Sequence, residues 1–260
     1  MAGRGAAGNV VERVGGARAR GRDLPAAAAS TTDVMANATG RNAPSPTRAE
    51  ELAAWLTHGV GLVASVIGGG VLVWLAWRLP GGARLPGLGA VAVYAVTLSL
   101  LYGASTAYHA ARRPEWKRVL RLVDHCAIFL LIAGTYTPVA LLGLGLDRGA
   151  PLLGLVWGMA VLGIVFKLRY IGRFPILAPV LYLAMGWTGV LALRPLVATV
   201  GTGVVVWLIA GGVVYTLGVA FYAWRKLPFN HTLWHLFVLG GSVCHFVAIA
   251  LVLGARSAAA

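Results

Sequence analysis

The sequence predicts an all-α membrane protein built as a bundle of seven transmembrane helices, and three observations support this fold class. The chain is 58% hydrophobic and only 12% charged, and its mean hydropathy of +0.78 is too high for a soluble domain. Seven apolar runs are long enough to cross a ~30 Å hydrocarbon core at ~1.5 Å per residue. Since they lack the polar–apolar alternation of barrel strands, we expect helices.

A tail is predicted ahead of these spans. Residues 1–46 are rich in glycine, alanine and arginine without hydrophobic periodicity, so we expect disorder and no secretory signal peptide. Translation from Met35 would remove most of this tail. The folded domain is predicted over 47–256, with spans at 55–77, 88–110, 122–144, 150–168, 175–193, 199–222 and 232–254.

The first helix begins with a recognisable cap. Thr47 followed three residues later by Glu50 has the form of a capping box. Glu50 and Glu51 also suit the positive end of the helix dipole. Further along, Pro138 in the third span frees a backbone carbonyl and predicts a kink. Lys167, near the end of the fourth span, is expected to snorkel to the interface.

Loop charges predict the orientation through the positive-inside rule. Ten Lys and Arg residues flank the spans on one side, together with the basic tail, against five on the other. The N-terminus is therefore predicted in the cytoplasm and the C-terminus outside, in a multi-pass protein of the cell membrane. Juxtamembrane cations explain the net charge of +14, and no basic-aromatic stripe indicates nucleic-acid binding.

Polar side chains within the spans gather at one membrane face. Such residues are costly in hydrocarbon and are candidates for function. The orientation rests on Lys and Arg alone, yet it places five of six histidines and the only intramembrane aspartate on the cytoplasmic side. These residues are His58, His109, Asp124, His125, His231 and His235.

Three of these histidines predict a metal site. The i,i+4 spacing of His231 and His235 puts both imidazoles on one helix face, and His109 from the second span completes a set of three. A catalytic zinc uses three protein ligands and keeps one position open for water. Asp124 is placed to act as base or to orient that water, because the histidine pair lacks the glutamate of an HExxH motif. Ser105 shares a helix face with His109.

The other polar residues have simpler interpretations. Ser105 either takes part in the site or bonds to a carbonyl of its own helix. His58 is either a ligand or a partner of a neighbouring helix, and His125 has a headgroup or packing role. His245 lies ~15 Å along the helix from His235, so we expect it buried and hydrogen-bonded outside the site. Two cysteines within apolar runs exclude a disulfide framework.

Four stretches in register, EELAAWLTHGVGL, SLLYGASTAYH, LVDHCAIFLLIAGTYTP and HTLWHLFVLGGSVCH, resemble the hemolysin III family. This family is the bacterial branch of the progestin and adipoQ receptors, in a superfamily that includes alkaline ceramidases. The resemblance covers residues 48–254. Its pattern of Ser-x-x-x-His, Asp and His-x-x-x-His is matched here by Ser105, His109, Asp124, His231 and His235.

The resemblance carries expectations about chemistry. In the receptor relatives the three histidines hold zinc and the aspartate contacts its water, which implies the same here. The superfamily chemistry implies hydrolysis of a lipid amide, with Asp124 and Ser105 as catalytic residues, whereas the family name implies a pore-forming cytolysin. A third possibility is a sensor with structural zinc. The family usually has asparagine where this chain has Ala54.

Overall fold

The computed structural model describes residues 46–170, 174, 177–224 and 226–258. The predicted tail up to residue 45 and the loop cations Arg173 and Arg225 lie outside the described residues. The helices are α1 Arg48–Trp77, α2 Gly81–Ala110, α3 Pro114–Pro138, α4 Leu146–Tyr170, α5 Leu177–Trp187, α6 Leu193–Val200, α7 Thr202–Ala223 and α8 Asn230–Ala258. A π-helical segment, Val139–Leu144, follows α3, and a 3-10 segment, Thr188–Ala192, joins α5 to α6.

Seven helical spans within this described part are long and apolar enough to cross a membrane, as predicted. The third span comprises α3 with its π segment, and the fifth runs from α5 through the 3-10 segment to α6. Several helices extend beyond their apolar runs, because polar residues at the ends continue the helix outside the hydrocarbon region. The chain is thus an all-α, multi-pass membrane protein.

The N-terminal cap of α1 has the predicted form. Glu50 N–H donates to the Thr47 hydroxyl at 3.2 Å, and Thr47 N–H donates to the Glu50 carboxylate at 2.8 Å. Two backbone donors are thereby satisfied reciprocally. The cap fixes the first turn of α1 at the end of the bundle where α2 finishes and α8 begins. We call this end the histidine end.

The third span changes geometry at Pro138, where the sequence predicts a kink. α3 ends at this residue, which cannot donate a backbone hydrogen bond, and the chain continues as a π segment until Gly145, whose φ is +80°. The widened turn leaves a carbonyl available, and Arg256 from the end of α8 donates to the oxygen of Leu142. The far end of the third span is therefore tied to α8.

The helices close into a ring in which sequence neighbours pack together and α1 returns against α8. The third span is the most buried, with 72% of its apolar stretch inside the protein, against 44% or less in the others. One apolar cluster joins α1, α2, the third span and α8 around Leu72 and Ile249. A second joins α3, α4 and α5 around Phe129, Val156 and Tyr182.

A cavity of about 1460 Å³ lies within this ring. Its lining reaches from Pro46 and Lys226 at the histidine end to Leu208 and His245 at mid-span. Most of the lining side chains are aliphatic or aromatic. Ligand pockets for small molecules usually have about 300–1,000 Å³, so this cavity accommodates a larger, mainly apolar molecule.

Candidate metal centre

Two helices bring the predicted histidines together at the histidine end. His109 lies in the last turn of α2, and His231 and His235 lie one turn apart at the start of α8. The rings of His231 and His235 are 4.5 Å apart between centroids, as expected for an i,i+4 pair. One nitrogen from each of the three imidazoles lies within 4.8 Å of the other two. This arrangement could hold a metal ion.

The spacing of the nitrogens suits a tetrahedral ion. His109 Nε2 and His231 Nε2 are 3.2 Å apart. Two nitrogens bound to one zinc at about 2.0–2.1 Å in tetrahedral geometry lie about 3.3 Å from each other. His109 and His235 are buried, and His231 is partly exposed on the cavity side. The donor set therefore fits zinc in ligand type, and the His109–His231 spacing fits a tetrahedral zinc.

Hydrogen bonds on the outer nitrogens orient two of these rings. His109 Nδ1 lies 2.8 Å from Glu51 Oε2, and a carboxylate can only accept, so Nδ1 carries the proton. His235 Nδ1 lies 3.4 Å from the carbonyl oxygen of Ala54 and donates to it for the same reason. In both rings the Nε2 lone pair is left for a metal ion. Outer partners of this kind fix the tautomer of ligand histidines.

Glu51 is the residue that the sequence analysis missed. Its second carboxylate oxygen accepts from Lys117 Nζ at 2.6 Å, so it links α1, α2 and α3. Its position in the first turn of α1 predicts only an interaction with the helix dipole. Residues 51, 54 and 58 recur at helical spacing, and all three contact the histidine cluster. That periodicity is the signal that could have identified this face of α1.

His58 does not join the three-histidine set and does not bond to a neighbouring helix. Its ring stacks on that of His235 with centroids 3.6 Å apart and planes 11° from parallel. The edge-to-face neighbour on its other side is Tyr102. His58 is 3% exposed, and neither of its nitrogens has a hydrogen-bond partner among the described residues. It therefore packs against His235 behind the three-histidine cluster.

Asp124 and Ser105 lie next to each other at the histidine end. Asp124, 8% exposed, lines the same cavity as the three histidines. Ser105 is fully buried next to its carboxylate but is absent from the cavity lining. Its hydroxyl has no hydrogen-bond partner among the described residues. Ser105 therefore stands behind Asp124 and not in the cavity.

The remaining histidines have local partners. His125 Nδ1 donates to the Arg121 carbonyl at 2.6 Å. It also lies 3.9 Å from the Asp124 carboxylate. His245 is hydrogen-bonded, as expected: its Nε2 lies 3.3 Å from the Leu208 carbonyl, and it lines the distant part of the cavity. Both cysteines are free.

Comparisons with known proteins identify the family to which the chain is similar. The family model described as "Haemolysin-III related" matches residues 47–246. The protein named Hemolysin-3 from Bacillus cereus is 39% identical over 200 residues, covering 77% of this chain and 90% of that protein. A Hemolysin-3 homolog from Bacillus subtilis is 39% identical over 200 residues, covering 77% and 92%. The human protein named monocyte to macrophage differentiation factor is 31% identical over 170 residues, covering 60% and 67%.

Proposed function

We propose that this chain, which belongs to the haemolysin III-related family, is a zinc-dependent hydrolase that cleaves an amide or ester bond of a membrane lipid. The observation that carries the proposal is the convergence of three imidazole nitrogens at one end of a large, mainly apolar cavity. An apolar cavity in a membrane protein suits a lipid substrate, and a three-histidine set with an adjacent carboxylate suits hydrolysis.

Zinc is the metal that the donor set favours. The ligands would be His109, His231 and His235, all of them imidazoles, and both cysteines lie outside the cluster. Imidazole also binds copper, iron and nickel, but the nitrogen spacing fits a tetrahedral centre, which zinc prefers. When bound by three histidines, zinc supplies a Lewis acid that polarises a carbonyl and makes water reactive near neutral pH.

The chain's own residues would divide the remaining tasks. Asp124, in the cavity wall, would take a proton from the attacking water on a carboxylate oxygen and return it to the leaving group. Ser105 would be a positioning residue that packs behind the Asp124 carboxylate, outside the cavity. Glu51 would keep His109 in the tautomer that presents Nε2. The apolar lining would bind the acyl chain and exclude bulk water.

The positive-inside rule supports an orientation with the histidine end in the cytoplasm. The cations at this end of the described helices include Arg112, Arg118, Arg121 and Lys167. The hydrolytic site would then lie within the cytoplasmic leaflet, close to its surface. A lipid of that leaflet would need to move only a short distance to reach the site.

Metal content and turnover can be measured separately on the purified full-length chain. We expect one zinc ion per chain, lost in His231→Ala and retained in Asp124→Asn. Hydrolysis of a fluorescent lipid amide is expected from the wild-type chain and from neither variant. If Asp124→Asn keeps both the metal and full turnover, the assignment of the base is wrong. If zinc is bound but no lipid amide or ester is cleaved, a sensor with structural zinc is favoured.

The printed names of the two bacterial relatives favour a second candidate, cytolysis. Release of a trapped dye from liposomes would measure it. A pore independent of the metal centre predicts equal release by the wild-type chain and by His231→Ala. We favour the hydrolase, because the spans are apolar around most of their surface and a water-filled pore needs polar faces along several spans.

A further inference from the structure

Three cations line the cavity at the histidine end. Arg121 comes from α3, Lys167 from α4, and Lys226 from the loop between α7 and α8. Lys167, near the end of the fourth span, is half-buried and lines the cavity. It lies close enough to Arg121 and Asp124 to interact electrostatically with both. Positive charge is therefore concentrated where the cavity meets the membrane surface.

These cations have no carboxylate partner within the described part of the chain. The only Lys or Arg within 4.0 Å of a carboxylate there is Lys117, which pairs with Glu51. Both oxygens of Glu51 are occupied, one by Lys117 and the other by His109. The Glu50 carboxylate accepts from the amides of Thr47 and Phe229 instead. The acidic groups around the cavity mouth are therefore engaged elsewhere.

Asp124 does not neutralise the group. It is one buried carboxylate in a cavity lined by three cations, and it forms no ion pair with any of them within 4.0 Å among the described residues. A half-buried ammonium such as that of Lys167 loses hydration that an opposite charge would offset. The missing negative charge must come from solvent or from whatever occupies the cavity.

General attraction to an anionic membrane surface explains other cations on the same helices but not these. Arg118 lies one turn from Arg121, and Arg169 lies two residues from Lys167. Neither lines the cavity, whereas Arg121 and Lys226, although also exposed, both do. Arg118 and Arg169 thus have the position expected for contacts with surrounding headgroups. Arg121, Lys167 and Lys226 instead surround one concave space that continues into an apolar chamber.

We propose that Arg121, Lys167 and Lys226 form an anion subsite that binds the negatively charged headgroup of a lipid whose acyl part fills the cavity. A phosphate group suits this subsite best, since Arg binds it bidentately and Lys as a point charge. The inference deepens the proposed function, on which it rests only for the claim that this lipid is the substrate. Binding of the anionic lipid stands independently of turnover.

Lipid retention by the purified full-length chain tests the subsite. Native mass spectrometry is used to compare dioleoyl phosphatidic acid with dioleoyl phosphatidylcholine, which has the same acyl chains. We expect preferential retention of phosphatidic acid by the wild-type chain. Replacement of Arg121 and Lys167 by Gln should reduce that preference about 25-fold, since each Lys or Arg near an anionic surface contributes about fivefold.

The matched control is the double variant Arg118→Gln with Arg169→Gln, which removes the same charge from the same two helices. It should keep the preference of the wild-type chain. Equal loss in both double variants, or no preference in the wild-type chain, overturns the proposal. Lys226→Gln, in a loop, supplies a second variant if Arg121→Gln with Lys167→Gln does not fold, and it should weaken the preference severalfold.

Inorganic phosphate distinguishes a lipid headgroup from a free anion. We expect millimolar phosphate to displace phosphatidic acid poorly, because the acyl chains contribute most of the binding free energy. Displacement as effective as that by phosphatidic acid itself would show a free-phosphate site and contradict the lipid assignment. None of these binding experiments requires turnover. A negative result in them would contradict the anion subsite alone, whereas the proposed hydrolase is tested by metal content and amide cleavage.

Discussion

At the scale of single residues, the outer nitrogens of His109 and His235 both face α1. One meets Glu51 Oε2 at 2.8 Å and the other the Ala54 carbonyl at 3.4 Å. The first helix thus contributes no ligand and still sets the direction of two. A carboxylate partner also raises the basicity of its histidine and strengthens the bond to a metal.

Glu51→Gln tests this contribution. We expect zinc affinity to fall about 10- to 100-fold, the usual cost of losing an outer partner of a ligand histidine. A competition titration with a fluorescent zinc chelator measures the affinity. The control is Glu115→Gln, which removes the same charge from an exposed position at the same end and should leave affinity unchanged. Equal affinities in Glu51→Gln and the wild-type chain would show that the contact does not support the metal.

His58 provides a second test at this scale. His58→Phe keeps an aromatic ring stacked on His235 and removes two buried nitrogens that lack partners among the described residues. We therefore expect an unchanged zinc content and an unchanged or higher melting temperature. His235→Phe should lose the metal. A loss of zinc in His58→Phe as complete as in His235→Phe would make His58 a ligand and refute the packing role.

The sequence predicted the three convergent histidines and Asp124 for a physical reason. Intramembrane polar residues are rare, and the positive-inside rule groups them by depth. The contact of Glu51 with His109 was not predicted, because an acidic residue in the first turn of a helix is already explained by its interaction with the helix dipole. Its pairing with His109, 58 positions away, depends on how α1 and α2 meet at their ends. The position of Ser105 outside the cavity likewise depends on side-chain packing.

At the scale of elements, the fifth span is interrupted at mid-depth by the 3-10 segment. The Tyr136 hydroxyl donates to the Gly186 carbonyl at 2.5 Å and accepts from Gly189 N–H at 2.6 Å. Backbone groups released from a helix inside a membrane need such partners. The π segment after Pro138 was foreseeable from proline chemistry, whereas the interruption of the fifth span contains no proline and was not predicted.

Tyr136→Phe removes both hydrogen bonds at the interruption. We expect a loss of about 1–3 kcal/mol for each backbone group left unsatisfied, seen as a lower melting temperature in detergent. Tyr170→Phe is the control, since Tyr170 makes only ring contacts among the interactions described for it. Identical melting temperatures for Tyr136→Phe and the wild-type chain would show that water or lipid replaces the hydroxyl.

At the scale of the whole molecule, seven apolar runs were enough to predict the bundle, because span length follows from the thickness of the hydrocarbon core. The cavity of about 1460 Å³ was not predictable. Its volume depends on the angles at which helices cross and on the irregular fifth span. Composition cannot show that apolar residues face an internal space instead of a neighbouring helix.

The orientation in the membrane is also a property of the whole molecule. The loop charges predict a cytoplasmic histidine end, so a reporter fused to the C-terminus should lie outside the cell. Alkaline phosphatase, active only outside the cytoplasm, and green fluorescent protein, which fluoresces in it, give opposite readouts. High phosphatase activity with no fluorescence is expected. The reverse would place the metal centre at the outer leaflet.

The central claim is that three histidines from two helices bind zinc at the mouth of a lipid cavity. X-ray absorption at the zinc K-edge of the purified full-length chain tests it most directly. We expect one zinc per chain with nitrogen scatterers at about 2.0–2.1 Å and the outer-shell pattern of imidazole. No stoichiometric zinc, or sulfur scatterers at about 2.3 Å, would contradict it.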